Sequence, residues 1–166
     1  MKNKEKELLF QLLRNSKLSD REIAKKLKTS QSTITRNRHK LEYKFIKSYT
    51  IVPNLEKLGI NLIAFTLAKC AQSSDQLDKK LSDFIETRPN VVFLGHGEGM
   101  GKTMIMISFH NNFSDFTEFM RKTRSVCSSF GETLDSFIVS TDKLLRTLTM
   151  SNAVEFLVNK QQEKNI

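Results

Sequence analysis

The spacing of residues within "LSDREIAKKLKTSQSTITRNRHKLE", residues 18–42, constrains the fold more than any other feature. Ser19 followed three residues later by Glu22 is a capping box, which marks the start of a helix. The small Ala24 lies four residues before a turn at Lys28, and the branched Ile34 lies six residues beyond that turn. Because a small residue lets two helices cross closely, this spacing predicts a helix-turn-helix.

The turn of this motif usually contains glycine, because its backbone needs a positive φ. Here the position is occupied by Lys28. We expect Lys28 to adopt the left-handed conformation at a cost of about 1 kcal/mol. The second helix of the motif then begins at or near Ser30, with Ile34 and Leu41 facing inward.

A further helix is predicted before the motif. The segment "KEKELLFQLLRNS", residues 4–16, places four leucines on one helical stripe and should end near Asn15. The leucines are Leu8, Leu9, Leu12 and Leu13. Residues 1–48 are therefore predicted to form a three-helix, winged-helix-like domain.

The exposed side of the last helix has the composition of a DNA-recognition helix. Short polar side chains at its start can reach base edges, and cations further along can contact phosphates. The alternative is a helical hairpin with a polar surface and no partner. The predicted DNA-binding residues are Ser30, Gln31, Ser32, Thr33, Thr35, Arg36, Arg38 and Lys40.

The excess positive charge lies entirely in the first third of the chain. The formal net charge is +9, and residues 1–50 hold 14 Lys and Arg against 5 Asp and Glu, a balance of +9. Clustered cations attract phosphates, so this distribution favours a nucleic-acid partner for the first domain. A solvated basic surface without a partner is the alternative.

Residues 49–60 are predicted to connect two domains. Within "FIKSYTIVPN", the stretch from Ile46 to Val52 is rich in β-formers and ends at Pro53. It predicts a short strand or wing that leads out of the helical domain.

Residues 61–142 alternate between strand and helix patterns. The predicted strands are "INLIAFTLAKCA", "VVFLGHG", "KTMIMISFH" and "ETLDSFIVSTD", with helices after the first and the third. The order β-α-β-β-α-β predicts a ferredoxin-like domain, and the chain as a whole is predicted to be α+β. Residues 143–166 form a C-terminal extension, expected to be partly helical.

Both faces of the central strands are largely apolar, but two helices can cover only one face of a four-stranded sheet. We expect the uncovered face to carry Leu62, Ala64, Met104 and Met106, and infer that it forms a homodimer. The alternative is that the C-terminal extension folds over it.

The segment "GHGEGMGKT", residues 95–103, resembles the end of a phosphate-binding loop. Such a loop needs glycine five residues before Gly101, where this chain has His96, and it must join a strand to a helix. Here the segment lies between two predicted strands, which indicates a β-hairpin connection. A nucleotide-binding enzyme is therefore the disfavoured alternative.

Other residue types give no sign of catalysis, a metal or a cofactor. His39, His96 and His110 have no ligand spacing, and we expect them at the surface or in the hairpin. Cys70 and Cys127 match no metal or redox motif and are expected to be semi-buried thiols in a reducing compartment. The start of the chain lacks a signal peptide and the longest apolar stretch is too short to cross a bilayer, so we expect a cytoplasmic protein with no membrane partner.

The helix-turn-helix, the connector "IKSYTIVPNLEKLGI" and the β-α-β-β-α-β pattern together resemble the Lrp/AsnC transcription regulators of bacteria and archaea over residues 5–142. The resemblance implies a sequence-specific regulator of double-stranded DNA that assembles as dimers or higher oligomers. An architectural DNA-binding protein with little sequence preference and no effector is the alternative.

In this family the glycine-bearing loop between the second and third strands lies near a dimer-interface pocket that often binds an amino acid. The loop corresponds here to residues 95–103, so the resemblance implies a small-molecule effector there. Its predicted contacts are Gly97, Glu98, Gly99 and Met100.

Overall fold

Three helices form the start of the chain in a computed structural model, which describes residues 1–69, 75–127, 134–146 and 150–163. They are α1 (Asn3–Arg14), α2 (Asp20–Lys26) and α3 (Gln31–Lys44). Their apolar sides meet in one buried cluster made of Leu8, Leu12, Ile23, Ala24, Ile34 and Leu41. The predicted helical stripes and the predicted role of Ala24 in the crossing of α2 and α3 are confirmed.

The ends of α2 follow the capping signals in the sequence. The Glu22 N–H donates to Ser19 Oγ at 3.3 Å, and the Ser19 N–H donates to Glu22 Oε2 at 2.7 Å. Lys28 follows α2 with φ of 48°, the predicted left-handed conformation. The capping box and the turn are therefore both present.

The segment after α3 differs from the prediction. Residues 46–52, all of which are described, form no strand, and the predicted wing is wrong. Ile51 and Val52 are 76% and 69% exposed. A strand needs a hydrogen-bonding neighbour, and β propensity alone does not supply one. A short 3₁₀ turn at Glu56–Leu58 follows and ends at Gly59, whose φ is 75°.

Four strands and two helices follow in the predicted order. They are β1 (Leu62–Ala68), α4 (Asp75–Glu86), β2 (Val91–Gly99), β3 (Lys102–His110), α5 (Phe113–Cys127) and β4 (Leu134–Ser140). The sheet order is β2-β3-β1-β4 and every neighbouring pair is antiparallel. This is the ferredoxin-like arrangement, so the predicted α+β fold class is confirmed.

The two faces of the sheet are the reverse of those predicted. Ala64 and Met106 are buried in a cluster with Phe116, Phe119 and other residues of the helical layer. The small side chains of β1 on this face leave room for the bulky rings of α5. Both faces carry apolar residues, so alternation alone could not identify the covered one.

The open face consists of the alternate residues of each strand. In the register, Phe65 lies opposite Ile107 on one side and Phe137 on the other. Phe93 lies opposite Ile107 from β2. Phe93 and Phe137 are 50% and 70% exposed, so this face is apolar and only partly covered within the chain.

His110 is buried, which corrects the prediction of a surface or hairpin histidine. The residue is 1% exposed at the end of β3, and its ring lies edge-on to Phe116 with 5.4 Å between centroids. Its Nε2 is 2.9 Å from Ser108 Oγ, and its Nδ1 is 3.8 Å from Asp115 Oδ2. Its burial lowers the pKa of His110, and the nearby Asp115 carboxylate only partly opposes this.

The end of the chain forms α6 (Ser151–Glu163), as expected for a partly helical extension. The chain divides into two units, Met1–Val52 with Thr147–Ile166 and Pro53–Arg146, so α6 belongs with the N-terminal helices. No helix among the described residues is both long and apolar enough to cross a membrane. The side chains of Cys70 and Cys127 lie outside the described residues, so the predictions about them stay untested.

Candidate nucleic-acid interface

The start of α3 is held by hydroxyl groups. Ser30 is the N-cap, and its Oγ accepts a hydrogen bond from the Thr33 N–H at 3.2 Å. The same Oγ lies 2.7 Å from Thr33 Oγ1 and 3.1 Å from Ser32 Oγ. Ser30 and Thr33 therefore fix the first turn of α3, and the side chains of Ser30, Gln31 and Ser32 are exposed there.

The outward face of α3 brings together five of the predicted residues. One continuous surface is lined by the exposed Gln31, Ser32, Arg36 and Lys40 and by the half-buried Thr35. His39, Tyr43 and Lys44 line the same surface, and Tyr43 is 88% exposed. We define the outward face as Gln31, Ser32, Thr35, Arg36, His39, Lys40, Tyr43 and Lys44.

Sequence reasoning missed His39 and Tyr43 as members of this face. The signal was available, because spacings of three, four and seven residues from Ser32 and Arg36 recur on one side of a helix. Tyr43 lies seven residues after Arg36, about 10 Å further along the axis. The face therefore extends over most of α3, beyond the first two turns.

Two predicted DNA-contacting residues, Thr35 and Arg38, contact α2 or the residues just before it. Thr35 Oγ1 donates to Asp20 Oδ2 at 2.6 Å. Arg38 Nε lies 2.7 Å from Asp20 Oδ1, and Arg38 Nη2 donates to the Leu18 carbonyl at 2.8 Å. Arg38 is thereby held away from the outward face, whereas Thr35 lines that face with its hydroxyl group bound to Asp20. The predicted DNA contacts of both residues stay predictions.

The electrostatics of α3 suit an anionic partner. Glu42 is the only carboxylate in α3, and it accepts a hydrogen bond from the Tyr49 hydroxyl at 2.9 Å. Partial burial, followed by this hydrogen bond, raises the pKa of Tyr49, which keeps the phenol protonated as the donor. The outward face itself contains cations and neutral polar groups, and Glu42 borders it with Oε2 3.5 Å from His39 Nδ1. Arg36, Lys40 and Lys44 make the balance of charge on this face positive, which attracts phosphates.

The predicted effector residues lie at the tip of the β2–β3 hairpin. Gly97, Glu98 and Gly99 end β2, and Met100 with Gly101 forms the two-residue turn. Met100 and Gly101 have φ of 53° and 70°, the positive pair typical of a type I′ turn. All four predicted residues are exposed. The effector site stays a prediction.

The hairpin excludes the phosphate-binding loop. Gly101–Lys102 joins two antiparallel strands, so no helix N-terminus follows the glycines. Of the glycines at 95, 97, 99 and 101, only Gly101 has a positive φ, and it lies in the turn of the predicted hairpin.

Comparison with known proteins gives a consistent result. A scan against protein-family models finds no match. The transcriptional regulator LrpC of Bacillus subtilis is 26% identical over 134 residues, which cover 80% of this chain and 88% of LrpC. The solved structure of LrpC has a TM-score of 0.71 at 20% identity, covering 89% of this chain and 96% of LrpC.

Two further solved structures share the fold. A transcriptional regulator of Neisseria meningitidis, solved with L-methionine, has a TM-score of 0.78 at 18% identity, covering 91% of this chain and 95% of its own. An AsnC-family regulator of Agrobacterium tumefaciens has a TM-score of 0.76 at 17% identity, and the match covers 90% of this chain and 94% of that regulator. The chain therefore shares a helix-turn-helix followed by a ferredoxin-like domain with solved regulators of the Lrp/AsnC type, and it is similar in sequence to LrpC over most of its length.

Proposed function

We propose that this protein is a sequence-specific regulator of transcription that binds double-stranded DNA through α3 and acts as a homodimer. The observation that carries the proposal is the outward face of α3, which is largely exposed and carries Arg36, Lys40 and Lys44. Such a face on the second helix of a helix-turn-helix fits the major groove of DNA.

Within this face we assign different tasks to its two ends. Gln31 and Ser32 lie in the first turn and present short polar groups to base edges. Arg36 is placed to reach a guanine or a phosphate, and Lys40 and Lys44 contact phosphates further along. The helix-start amides offer a further phosphate contact.

A second copy of the chain is the proposed partner of the open sheet face. Exposed aromatic side chains such as Phe93 and Phe137 favour burial against an equally apolar surface. Two-fold symmetry would present two copies of α3 to successive turns of the groove, which matches the symmetric half-sites read by proteins of this class.

The proposal includes an amino acid as effector at the β2–β3 hairpin. Its support is the family resemblance and the relative from Neisseria meningitidis that was solved with L-methionine. Since Gly97, Glu98, Gly99 and Met100 are open to solvent in one chain, a second chain would have to complete the site. Calorimetric titration of the protein with the individual amino acids, L-methionine first, tests this part.

The DNA claim is tested by electrophoretic mobility shift. The probes are DNA from upstream of the protein's own gene and a duplex that the protein enriches from a random pool, each with and without excess competitor. The variants are Arg36→Ala and, as a matched control, Arg121→Ala, which removes an exposed arginine from α5.

We expect a shift that survives competitor and that weakens by about 1–3 kcal/mol in Arg36→Ala while Arg121→Ala binds like the wild type. A shift that competitor abolishes would favour the architectural alternative. No shift from folded protein, or equal affinity in Arg36→Ala at several salt concentrations, would contradict DNA binding through α3.

A further inference from the structure

Asp20 connects α2 to the recognition helix through two contacts. It is the first residue of α2, directly after the N-cap Ser19. Its Oδ2 accepts a hydrogen bond from Thr35 Oγ1 at 2.6 Å, and its Oδ1 lies 2.7 Å from Arg38 Nε. Thr35 and Arg38 are three residues apart, so they lie on the same side of α3 and reach one carboxylate together.

Arg38 has a second anchor in the backbone. Its Nη2 donates to the Leu18 carbonyl at 2.8 Å, one residue before the N-cap of α2. The Nε contact with Asp20 is a charge pair without hydrogen-bond alignment. The Arg38 and Asp20 side chains are each only 19% exposed, so the pair is largely removed from water and is screened less than a surface pair.

The polar contacts of α3 with Asp20 and Leu18 fix the rotation of this helix, which its apolar contacts do not. Ala24 and Ile34 hold α2 and α3 together, but hydrophobic contact is non-directional and tolerates small rotations of a helix. The hydrogen bonds from Thr35 to Asp20 and from Arg38 to the Leu18 carbonyl each have a defined donor and acceptor, and they hold one side of α3 at two points. The ion pair between Arg38 and Asp20 adds attraction at the same place. These contacts therefore set the rotation of α3 about its axis and the direction of the neighbouring Arg36.

We infer that Asp20 is a positioning residue that orients α3 for base recognition through Thr35 and Arg38. The inference rests on the proposed DNA-binding function. Base contacts need groups held within about 0.5 Å and 10–20° of their productive geometry. Phosphate contacts are less demanding, so a misaligned α3 loses specific binding and keeps most of its non-specific binding.

The test measures the affinity of full-length protein for the enriched duplex and for a scrambled duplex over a range of salt concentrations. The variants are Asp20→Ala, Thr35→Val and their combination. Thr35→Ser is the matched control, because it keeps the hydroxyl that Thr35→Val removes.

We expect Asp20→Ala and Thr35→Val each to lose about ten-fold in affinity for the enriched duplex, the lower range of what one base contact contributes. Affinity for the scrambled duplex and the dependence on salt should stay near the wild-type values. Thr35→Ser should bind like the wild type, and the combined variant should be little worse than either single change, because both act through one set of contacts.

Arg38→Gln separates positioning from direct contact. If Arg38 positions α3, this variant loses specific affinity with an unchanged salt dependence. A direct phosphate contact would instead lower the slope of log K against log salt by about 0.9, which would overturn our assignment of Arg38. Thermal unfolding of each variant confirms that it is folded, and Thr35→Val, as the mildest change, carries the test if Asp20→Ala unfolds.

Wild-type affinity in both Asp20→Ala and Thr35→Val would refute the positioning role, and so would an equal loss for the two duplexes. Suppose that the wild type binds the enriched duplex and that Arg36→Ala weakens this binding. Either of the two results above then refutes the positioning role of Asp20 and leaves the proposed DNA-binding function standing. If the folded wild type binds neither duplex, the proposed function fails first.

Discussion

Lys28 ends α2 in a conformation that glycine adopts at lower cost. Its N–H lies 3.4 Å from the Lys25 carbonyl, and the Thr29 N–H donates to the Ala24 carbonyl at 3.0 Å. These are the two hydrogen bonds of a Schellman motif, whose left-handed position falls on Lys28. The φ of 48° is therefore imposed by the way α2 ends, although the Lys28 side chain opposes it.

We predict that Lys28→Gly stabilises the N-terminal unit. Removing the Cβ relieves the left-handed strain, and the gain should be about 0.5–1 kcal/mol after the entropy cost of glycine. The free energy of unfolding in urea measures the change, with Lys25→Gly inside α2 as a control that should destabilise. A lower stability of Lys28→Gly would show that the turn carries no strain.

His110 gives the ferredoxin-like unit a dependence on pH. Burial lowers its pKa below the ordinary value of 6.5, so the folded state binds a proton less readily than the unfolded chain does. The unfolded state then takes up more protons as the pH falls, and stability falls with it. The loss begins near the unfolded pKa of 6.5 and continues down to the lowered folded pKa.

We predict that the free energy of unfolding is lower at pH 5.5 than at pH 7.5 and that His110→Gln, which cannot titrate, removes much of this difference. The control His39→Gln, at a side chain that is 76% exposed, should keep the difference. Urea unfolding at the two pH values provides the measurement. An equal pH dependence in wild type and His110→Gln would mean that other groups cause it.

At the scale of elements, α6 is fastened to α1 by a surface ion pair. Arg14 Nη2 donates to both carboxylate oxygens of Glu155, at 2.7 Å and 2.6 Å. The Arg14 and Glu155 side chains are 53% and 28% exposed, so water and salt screen much of their attraction. Val154 and Val158 of α6 are half-buried beside this pair, while Phe156 and Leu157 are exposed. The attachment is therefore weak.

We predict that Arg14 and Glu155 couple by about 0.2–1 kcal/mol, as exposed ion pairs do. The measurement is a double-mutant cycle of Arg14→Gln and Glu155→Gln by urea unfolding, repeated at high salt, where the coupling should shrink. Asn152→Ala on α6 serves as a change outside the pair. Additive effects of the two changes at low salt would show that the pair contributes nothing.

Periodicity predicted the helices and strands well, because each apolar stripe has to meet a core somewhere. The capping box at Ser19 and the positive φ of Lys28 were also predictable, since both are decided within a few residues. The face of β1 that meets the helices could not be predicted, because Ala64 and Phe65 are both apolar. Which of the two faces is covered depends on the packing of α5.

The candidate site was predictable only in part for the same reason. Arg36 and Arg38 look equivalent in the sequence, but Asp20, which is distant along the chain, takes Arg38 away from the outward face. The failed strand at residues 46–52 likewise depends on a neighbour that local sequence cannot reveal. Local signals are visible in sequence, and long-range partners are not.

At the scale of the whole molecule, the charge and the apolar surface lie in different units. The first 50 residues carry the entire charge of +9, while the exposed aromatic face belongs to the sheet of the second unit. Charge and apolar area favour different partners, since cations attract phosphates and an apolar face favours another apolar face. DNA binding and self-association should therefore respond to different substitutions.

We predict that the wild type sediments as a species of at least twice its 19.1 kDa chain mass and that Phe137→Glu sediments as a monomer. A carboxylate at this position of the apolar face, on the edge strand β4, would have to be buried without a partner in the dimer, which costs several kcal/mol. Phe113→Glu is the matched control, because Phe113 is similarly exposed, at 62%, but lies on α5 at the helical side of the sheet. Analytical ultracentrifugation distinguishes the two species.

A wild type that stays monomeric, or a Phe137→Glu variant that associates like the wild type, would contradict dimerisation through this face. If the prediction holds, Phe137→Glu should also lose affinity for the enriched duplex with α3 unchanged, because one recognition helix then binds without its symmetric copy.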